Sequence, residues 1–491
     1  MMSGHESFLQ RAARIPLRGI GLSVDVYDPD LLELHRALDR AGARPDYLEI
    51  FKARTPDLAR MREALPDTPL AYHAEGLWLI DPDVRAGDPW STVVQTIARH
   101  TRAIGADWVT HECAAKQFGG YSFGTYLPPL FLDAAAEATA ANAVRFQAHL
   151  DEWYAEQGCL DAAPLVLLEL PPLTYFAFGD LPVAEFFARL VRAAPCGLVL
   201  DLGHLWTVWR YRERRRCQTL EAFAGEFFDT FPLDRVVQIH LAGLAPADPE
   251  GAAEALSVWV DAHAAPVPEV LFDLLGLVLA HPDLTSLKGI ALEVDTKAIP
   301  LIGEEFGRLR SELAGQDFRM SSSPVKGEEK IPVGEGFTPR PECEGRLADL
   351  YRAYARVVSG QERLPTSALA PFAEEVDTAG LTRYTTRYLP RELVTWGGDL
   401  KELFPRVWRV LEARGLTGDD LMRSWFREPR PVTEPYDYFY VKLERWVAFV
   451  GEVAPDLAED VAREAETLRA LHADMNDEPL ESKESFVERL A

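Results

Sequence analysis

The stretch Leu198-Val199-Leu200-Asp201-Leu202-Gly203-His204 runs three apolar residues into an acid and then, three residues on, a histidine. A short continuous apolar run after Cys196-Gly197 reads as a strand buried on both faces. A carboxylate and an imidazole at its exit are costly to bury unless they are paired or hold a metal. Both are also ligand types that divalent iron, manganese and zinc accept. Other apolar runs end the same way. His73 closes Leu70–His73, His111 closes Trp108–His111 and Glu169 closes Leu165–Glu169. His240 closes Val236–His240, Asp261-Ala262-His263 follows it, and Glu293 stands near the end of Ile290–Val294.

Each residue alone has an ordinary explanation: a strand-end histidine is commonly a hydrogen-bonded core group, and a glutamate pairs with an arginine. The series changes the weighing. Five of the eleven histidines fall at or just beyond these ends, with carboxylates at matching places. Without metal, such a set crowds like charges in a partly desolvated space. Nine ligands exceed what one ion needs and suit two or three, with a carboxylate such as Glu169 bridging. Glu169, Asp201 and His240 form the candidate catalytic subset. Lys52, Glu75 and Arg210, just past strand ends, are candidates for binding substrate, although each also reads as an ion-pair member.

The elements that must position these residues alternate in type. Gly21–Val26, Tyr47–Phe51 and the six runs above read as strands. Pro29–Ala41, Leu58–Leu65, Ser91–Ala103, Ala134–Glu156, Val183–Ala193, Leu220–Thr230 and Val267–Ala280 read as helices. This alternation predicts an α/β fold, a (β/α)₈ TIM barrel over residues 1–318, with the site at the carboxyl ends of the strands. A doubly wound sheet normally carries a glycine-rich phosphate turn after its first strand, and none stands here. Residues 319–345, rich in Ser, Pro and Gly, read as a linker. From 346 to 491 the pattern is helical, as where Leu347, Leu350, Tyr351 and Tyr354 share a face, and predicts a mostly α-helical C-terminal domain.

The 491 residues are 47% hydrophobic and 26% charged, a globular composition. The net charge of −26 argues against a nucleic-acid partner. No apolar run is long enough to span a bilayer, which argues against a membrane partner. Five scattered cysteines without a CxxC pair, and an N-terminus without a signal-type apolar core, predict a reducing cytoplasm.

The order His73, His111, Glu169, Asp201-x-x-His204, His240, Asp261-x-His263, Glu293 resembles the xylose-isomerase-like barrels, endonuclease IV among them, where such residues hold three metals. Several pieces resemble, more closely, the multinuclear non-haem iron-dependent oxidases of the methanobactin-synthesis type. They are Tyr47-Leu48-Glu49, Cys196-Gly197-Leu198-Val199-Leu200-Asp201, Ile239-His240-Leu241-Ala242-Gly243, Asp261-Ala262-His263 and Glu293-Val294-Asp295. Three positions depart from that pattern: Leu170 stands where an Asn usually follows the fifth-strand Glu, and Gly203-His204 replace two Asn. The resemblance implies two or three iron ions of mixed Fe2+/Fe3+ state, O2 as co-substrate and a ribosomally made precursor peptide as partner. Tyr384–Leu389, Leu400–Val407 and Leu457–Glu464 resemble the helical partner proteins that present such peptides, which implies an enzyme fused to its own partner. The competing readings are an endonuclease IV-like hydrolase or phosphodiesterase using Zn2+ or Mn2+, a sugar isomerase or epimerase, and a catalytically silent scaffold.

Overall fold

The computed structural model describes residues 7–51, 53–82, 89–172, 174–213, 218–247, 257–314, 341–416, 418–432 and 437–477. Its strands are β1 (Gly19–Val24), β2 (Leu48–Phe51), β3 (Leu70–His73), β4 (Trp108–Glu112), β5 (Ala115–Phe118), β6 (Tyr121–Leu127), β7 (Leu165–Glu169), β8 (Gly197–Asp201), β9 (Val236–Leu241), β10 (Leu244–Pro246), β11 (Trp259–Asp261) and β12 (Gly289–Glu293). Eight of them close into a parallel barrel in the order β1-β12-β9-β8-β7-β4-β3-β2. These are the eight apolar runs of the sequence. The pairs β5–β6 and β10–β11 are separate two-stranded sheets, not anticipated from the sequence.

Alternation along each strand sends every second residue into the barrel. At the amino ends of the strands the interior is apolar. Ala71, Trp108, Leu165, Leu167 and Val199 cluster there with Tyr47, just ahead of β2, and with Phe8, Ala12 and Ile15 from the N-terminal helix Phe8–Arg14 and its C-cap. That helix starts in a capping box formed by Ser7 and Gln10. It closes one end of the barrel and leaves the other end for polar groups.

Phase within the barrel depends on one irregularity. Between β8 and β9 the register slips, so that Leu198 faces Val236 but Val199 faces Gln238. The extra residue in β9 turns Gln238 and His240 inward. Without it, His240 would point to the outer face, because a one-residue shift exchanges the two faces of a strand.

The chain divides into two compact units. The first comprises Met1–Ala115, Leu127–Leu350 and Phe372–Gly380; the second comprises Lys116–Tyr126, Tyr351–Pro371 and Leu381–Ala491. The second unit is helical around a core that includes Leu400, Phe404, Leu443, Trp446, Val450 and Val461. Buried Lys442 ties that core together by donating to the carbonyls of Val394, Trp396 and Gly398 at 2.6–2.7 Å. The β5–β6 hairpin belongs to this unit. It turns at Gly119-Gly120, both at positive φ, the requirement of a tight two-residue hairpin turn. Phe118 packs 5.0 Å from the Tyr351 ring, Phe123 packs 5.2 Å from Phe426, and the Trp425 indole donates to the Ser122 carbonyl at 3.0 Å. Residues 315–340, most of the expected linker, lie outside the described residues.

The helical unit therefore depends on residues far upstream in the chain. A fragment of residues 346–491 lacks Phe118, Ser122 and Phe123. It is expected to lose cooperative thermal unfolding by circular dichroism, whereas the full chain keeps it. A sharp transition in the fragment would contradict this account of the core.

Candidate metal centre

The open end of the barrel gathers charged residues that the sequence places at strand ends. Glu169, at the end of β7, is at the middle. Its Oε2 lies 3.1 Å from His73 Nε2, and its Oε1 lies 3.0 Å from His240 Nδ1 and 3.9 Å from His204 Nδ1. Glu293 continues the network, 3.3 Å from His240 Nδ1 through Oε1 and 3.3 Å from His263 Nε2 through Oε2. Asp261 stands between two imidazoles, with Oδ1 3.3 Å from His263 Nε2 and Oδ2 3.2 Å from His204 Nε2. Three sets have ligand atoms close enough to share an ion: His73, Glu112 and Glu169; Glu169, His240 and Glu293; and Glu169, Asp201 and His204. Glu169 belongs to all three.

Local structure explains why these side chains point where they do. Asp201 ends β8 and caps the helix Leu202–Val208: its Oδ1 accepts from the His204 backbone N–H at 2.6 Å. The Asp-x-x-His spacing is thus a helix N-cap with the histidine at its third residue. One Asp201 oxygen starts the helix, and the other remains for the site. The His204 ring is oriented from behind, because Nδ1 lies 2.7 Å from the Leu170 carbonyl oxygen. With the proton on Nδ1, Nε2 is left to face Asp261. His263 is held in the same way by Asp295, whose Oδ2 is 3.2 Å from Nδ1. Gly243 explains the His-Leu-Ala-Gly run. A Cβ there would meet the carbonyl oxygens of Ala265 and Ala262 at 2.0 and 2.4 Å. Only glycine lets the turn that carries His263 pack so close.

Of the nine expected ligands, the structure brings eight together: His73, Glu169, Asp201, His204, His240, Asp261, His263 and Glu293. His111 stands apart. Trp108, Thr110 and Glu112 face the interior of β4, so His111 faces out. Its Nε2 accepts from the Leu77 backbone N–H at 3.1 Å, and its Nδ1 lies 3.1 Å from the Glu112 carbonyl oxygen. Its neighbour Glu112 joins His73 and Glu169 instead. Period-two alternation from Trp108 was the signal that could have identified it. Among the candidate substrate-binding residues, Lys52 lies outside the described residues, and Glu75 is half-buried on the loop after β3. Arg210 is buried on a π-helical turn, Trp209–Glu213, where it donates to Ser257 Oγ at 3.0 Å. Its guanidinium lies 5.1 Å from the Trp206 ring and 5.4 Å from the Trp259 ring.

The electrostatics favour a cation. Glu112 Oε2, Asp201 Oδ2, Asp261 Oδ1 and His73 Nδ1 are buried and have no hydrogen-bond partner. Burial pushes Asp201 up to about 7 despite His204, with Glu293, Glu169 and Asp261 adding to the rise. Burial also drives Glu112 well above the usual carboxylate range, with Glu169 adding to it. Burial would lower His73, but the hydrogen bond and charge of Glu169, followed by Glu49 and Glu112, overcome it and raise the ring to about 9. Orphaned acceptors among crowded carboxylates and imidazoles fit bound metal ions. The donors are nitrogen and oxygen, a set that suits iron, manganese or zinc. His73, Glu112, Glu169, Asp201, His204, His240, Asp261, His263 and Glu293 would hold them.

A closed parallel barrel with a buried histidine–carboxylate cluster at the carboxyl ends of its strands defines a (β/α)₈ barrel with a candidate metal centre. The chain belongs to the RiPP precursor modification enzyme MbnB/TglH/ChrH family, whose model matches residues 18–310. A UPF0276 protein of Bordetella pertussis is 32% identical over 219 residues, covering 43% of this chain and 66% of that protein. A UPF0276 protein of Caulobacter vibrioides is 26% identical over 235 residues, covering 47% of this chain and 72% of that protein. The chain thus spans slightly less than two thirds of the Bordetella relative. Among solved structures, endonuclease IV from Thermus thermophilus aligns with 17% identity and a TM-score of 0.36, covering 60% of this chain and 99% of that one. A xylose isomerase-like TIM barrel/4-hydroxyphenylpyruvate dioxygenase fusion protein aligns with 12% identity and a TM-score of 0.36, covering 62% and 45%.

Metal loading and pH are linked with a definite sign. His73 titrates near 9 in the folded protein against 6.5 ordinarily. Its contribution to metal-free stability is full below 6.5 and is lost as pH rises through 9. Asp201, raised to about 7, acts in the same direction at lower pH. Metal requires the neutral imidazole, so loading at pH 7 displaces protons. Metal titration by calorimetry in buffers of different ionisation heat is expected to show net proton release. The melting temperature of the metal-free protein is expected to fall between pH 6.5 and 9. Loading without proton release would contradict the arrangement.

Proposed function

We propose that this chain is a multinuclear non-haem iron- and O2-dependent oxidoreductase that modifies a residue of a ribosomally synthesised precursor peptide. Membership of a RiPP precursor modification family supports the peptide substrate. The observation that carries the proposal is Glu169, one carboxylate common to three ligand groups, which suits two or three adjacent ions rather than one. Iron, when bound in a mixed Fe2+/Fe3+ state, would supply the redox chemistry with O2 as co-substrate. The chain's own residues do the rest. Glu169 and Glu293 set the spacing of the imidazoles. The Leu170 carbonyl and Asp295 hold the protons of His204 and His263 on Nδ1. The apolar end of the barrel, from Tyr47 to Leu167, excludes water beneath the site.

The proposal extends to the second unit, as a fused partner-like domain, residues 346–491, that recognises the peptide. Glu75 and Arg210 are proposed to orient substrate, as is Lys52. Among the described residues no helix is long and apolar enough to cross a membrane. A cytoplasmic enzyme acting on a peptide, with no nucleic-acid partner, agrees with the net charge of −26 and with free Cys113, Cys159 and Cys196.

The test is oxygen consumption by protein loaded anaerobically with ferrous iron, given short precursor-like peptides encoded beside its gene. Peptide-dependent O2 uptake with a mass change in one peptide is the expected result. Phosphoester cleavage by the zinc- or manganese-loaded protein, with no O2 uptake by the iron form, would replace this reading with a hydrolase.

A further inference from the structure

Beneath the ligand cluster, between it and the apolar end, lies a layer of buried polar side chains that belongs to none of the three metal-holding groups. Glu49, on β2, is fully buried. Its Oε2 accepts from Thr110 Oγ1 at 2.9 Å and from Trp108 Nε1 at 3.4 Å. Gln238 shares both donors: its Oε1 accepts from Trp108 Nε1 at 2.9 Å and from Thr110 Oγ1 at 3.4 Å, while its Nε2 donates to the Tyr47 hydroxyl at 3.1 Å. The other Glu49 oxygen, Oε1, makes a 3.0 Å ion-pair contact with His240 Nε2, and neither atom has a hydrogen-bond partner, whereas Nδ1 of the same ring is hydrogen-bonded to Glu169 Oε1 at 3.0 Å. No arginine or lysine forms an ion pair with Glu49 among the described residues.

We propose that Glu49 is a positioning residue that holds the His240 proton on Nε2 and so presents the Nδ1 lone pair to the ion shared by Glu169 and Glu293. The proposal rests on the metal reading of the site and adds to it the control of one ligand. Three observations carry it. First, His240 is fully buried with a carboxylate on each side of its ring: Glu49 at Nε2, and Glu169 and Glu293 at Nδ1. A neutral imidazole carries one proton, so one side must be the donor and the other the ligand. Second, Glu49 cannot turn toward the ions without abandoning Thr110 and Trp108, which fix its Oε2. Third, the other two histidines with assigned partners show the same plan, His204 backed by the Leu170 carbonyl and His263 by Asp295. Backing a ligand histidine with an acceptor fixes its tautomer and raises its basicity.

Glu49→Gln separates this role from simple packing, because the amide has nearly the same shape. Thr110 and Trp108 are donors, so they favour the amide oxygen on their side, which aims the NH2 group at His240 Nε2. Nε2 then accepts, the proton moves to Nδ1, and Nδ1 can no longer ligate.

The experiment compares ferrous iron binding to the full-length wild type and to E49Q, anaerobically, by metal analysis and Mössbauer spectra, with metal-free melting curves as the control for folding. The expected result is one iron bound roughly 10–100-fold more weakly and one Mössbauer component lost or shifted, with the metal-free melting curve little changed. Full iron binding with unchanged spectra in E49Q overturns the proposal. So does a lowered metal-free melting temperature with unchanged iron affinity, which would make Glu49 a packing residue. Should E49Q fail to fold, Thr110→Val keeps the carboxylate but removes the shorter of the two hydrogen bonds that fix its Oε2. A smaller loss of affinity for the same iron is then expected, and unchanged affinity overturns the proposal. A wild type that binds no metal would refute the metal reading itself, a result distinct from any of these.

Discussion

A fully buried carboxylate needs positive charge around it, and the open end of this barrel is arranged to satisfy Glu169. An uncompensated buried ion costs several kcal/mol even after relaxation. Burial would raise the Glu169 pKa, but His240 and His73 hold it well below the usual carboxylate range. Those imidazoles are themselves raised by the carboxylates around them, so in the metal-free protein protons provide the positive charge. Metal ions would replace those protons at the same positions. The cluster is therefore a balanced set of charges whose sum is met by protons or by metal.

Barrel geometry makes the balance possible. The clustered residues sit at the carboxyl ends of strands or on the hairpin and helix that follow them, and β7 places Glu169 where its two oxygens reach opposite sides. The polar layer built on Glu49 and Gln238 separates these charges from the apolar plug of Trp108, Tyr47 and the N-terminal helix. Each layer constrains the next: the helix closes the end, the aromatic groups fill the interior, the amide and carboxylate of the polar layer are held by aromatic and hydroxyl donors, and the ligand cluster stands above them.

The eight barrel strands were legible because each is a continuous apolar run, most of them ending in a histidine or a carboxylate. The helices between them were legible from their periodicity. The β5–β6 hairpin was missed although Gly119-Gly120 sits between alternating residues, a hairpin signal overshadowed by the expectation of helix after β4. At β4 the sequence order pointed to His111. Strand phase, set by Trp108 and Thr110, turns that ring outward and brings Glu112 in. His240 faces inward only because β9 carries an extra residue, and no residue type announces that slip. Glu49 was visible as part of Tyr47-Leu48-Glu49 but had no readable role, since it lies mid-strand and its partners come from β4 and β9. Residues at strand ends declare themselves in one dimension, whereas residues that work across the barrel do so only once the register is known.

The sharing of Glu169 by all three ligand groups is the central claim. It is tested most directly by counting metal in the wild type and in Glu169→Ala, both purified anaerobically, by mass spectrometry. Two or three equivalents in the wild type, and loss of essentially all of them in the variant, is the result this account requires. A variant that loses one equivalent or none, or a folded wild type without metal, would contradict it.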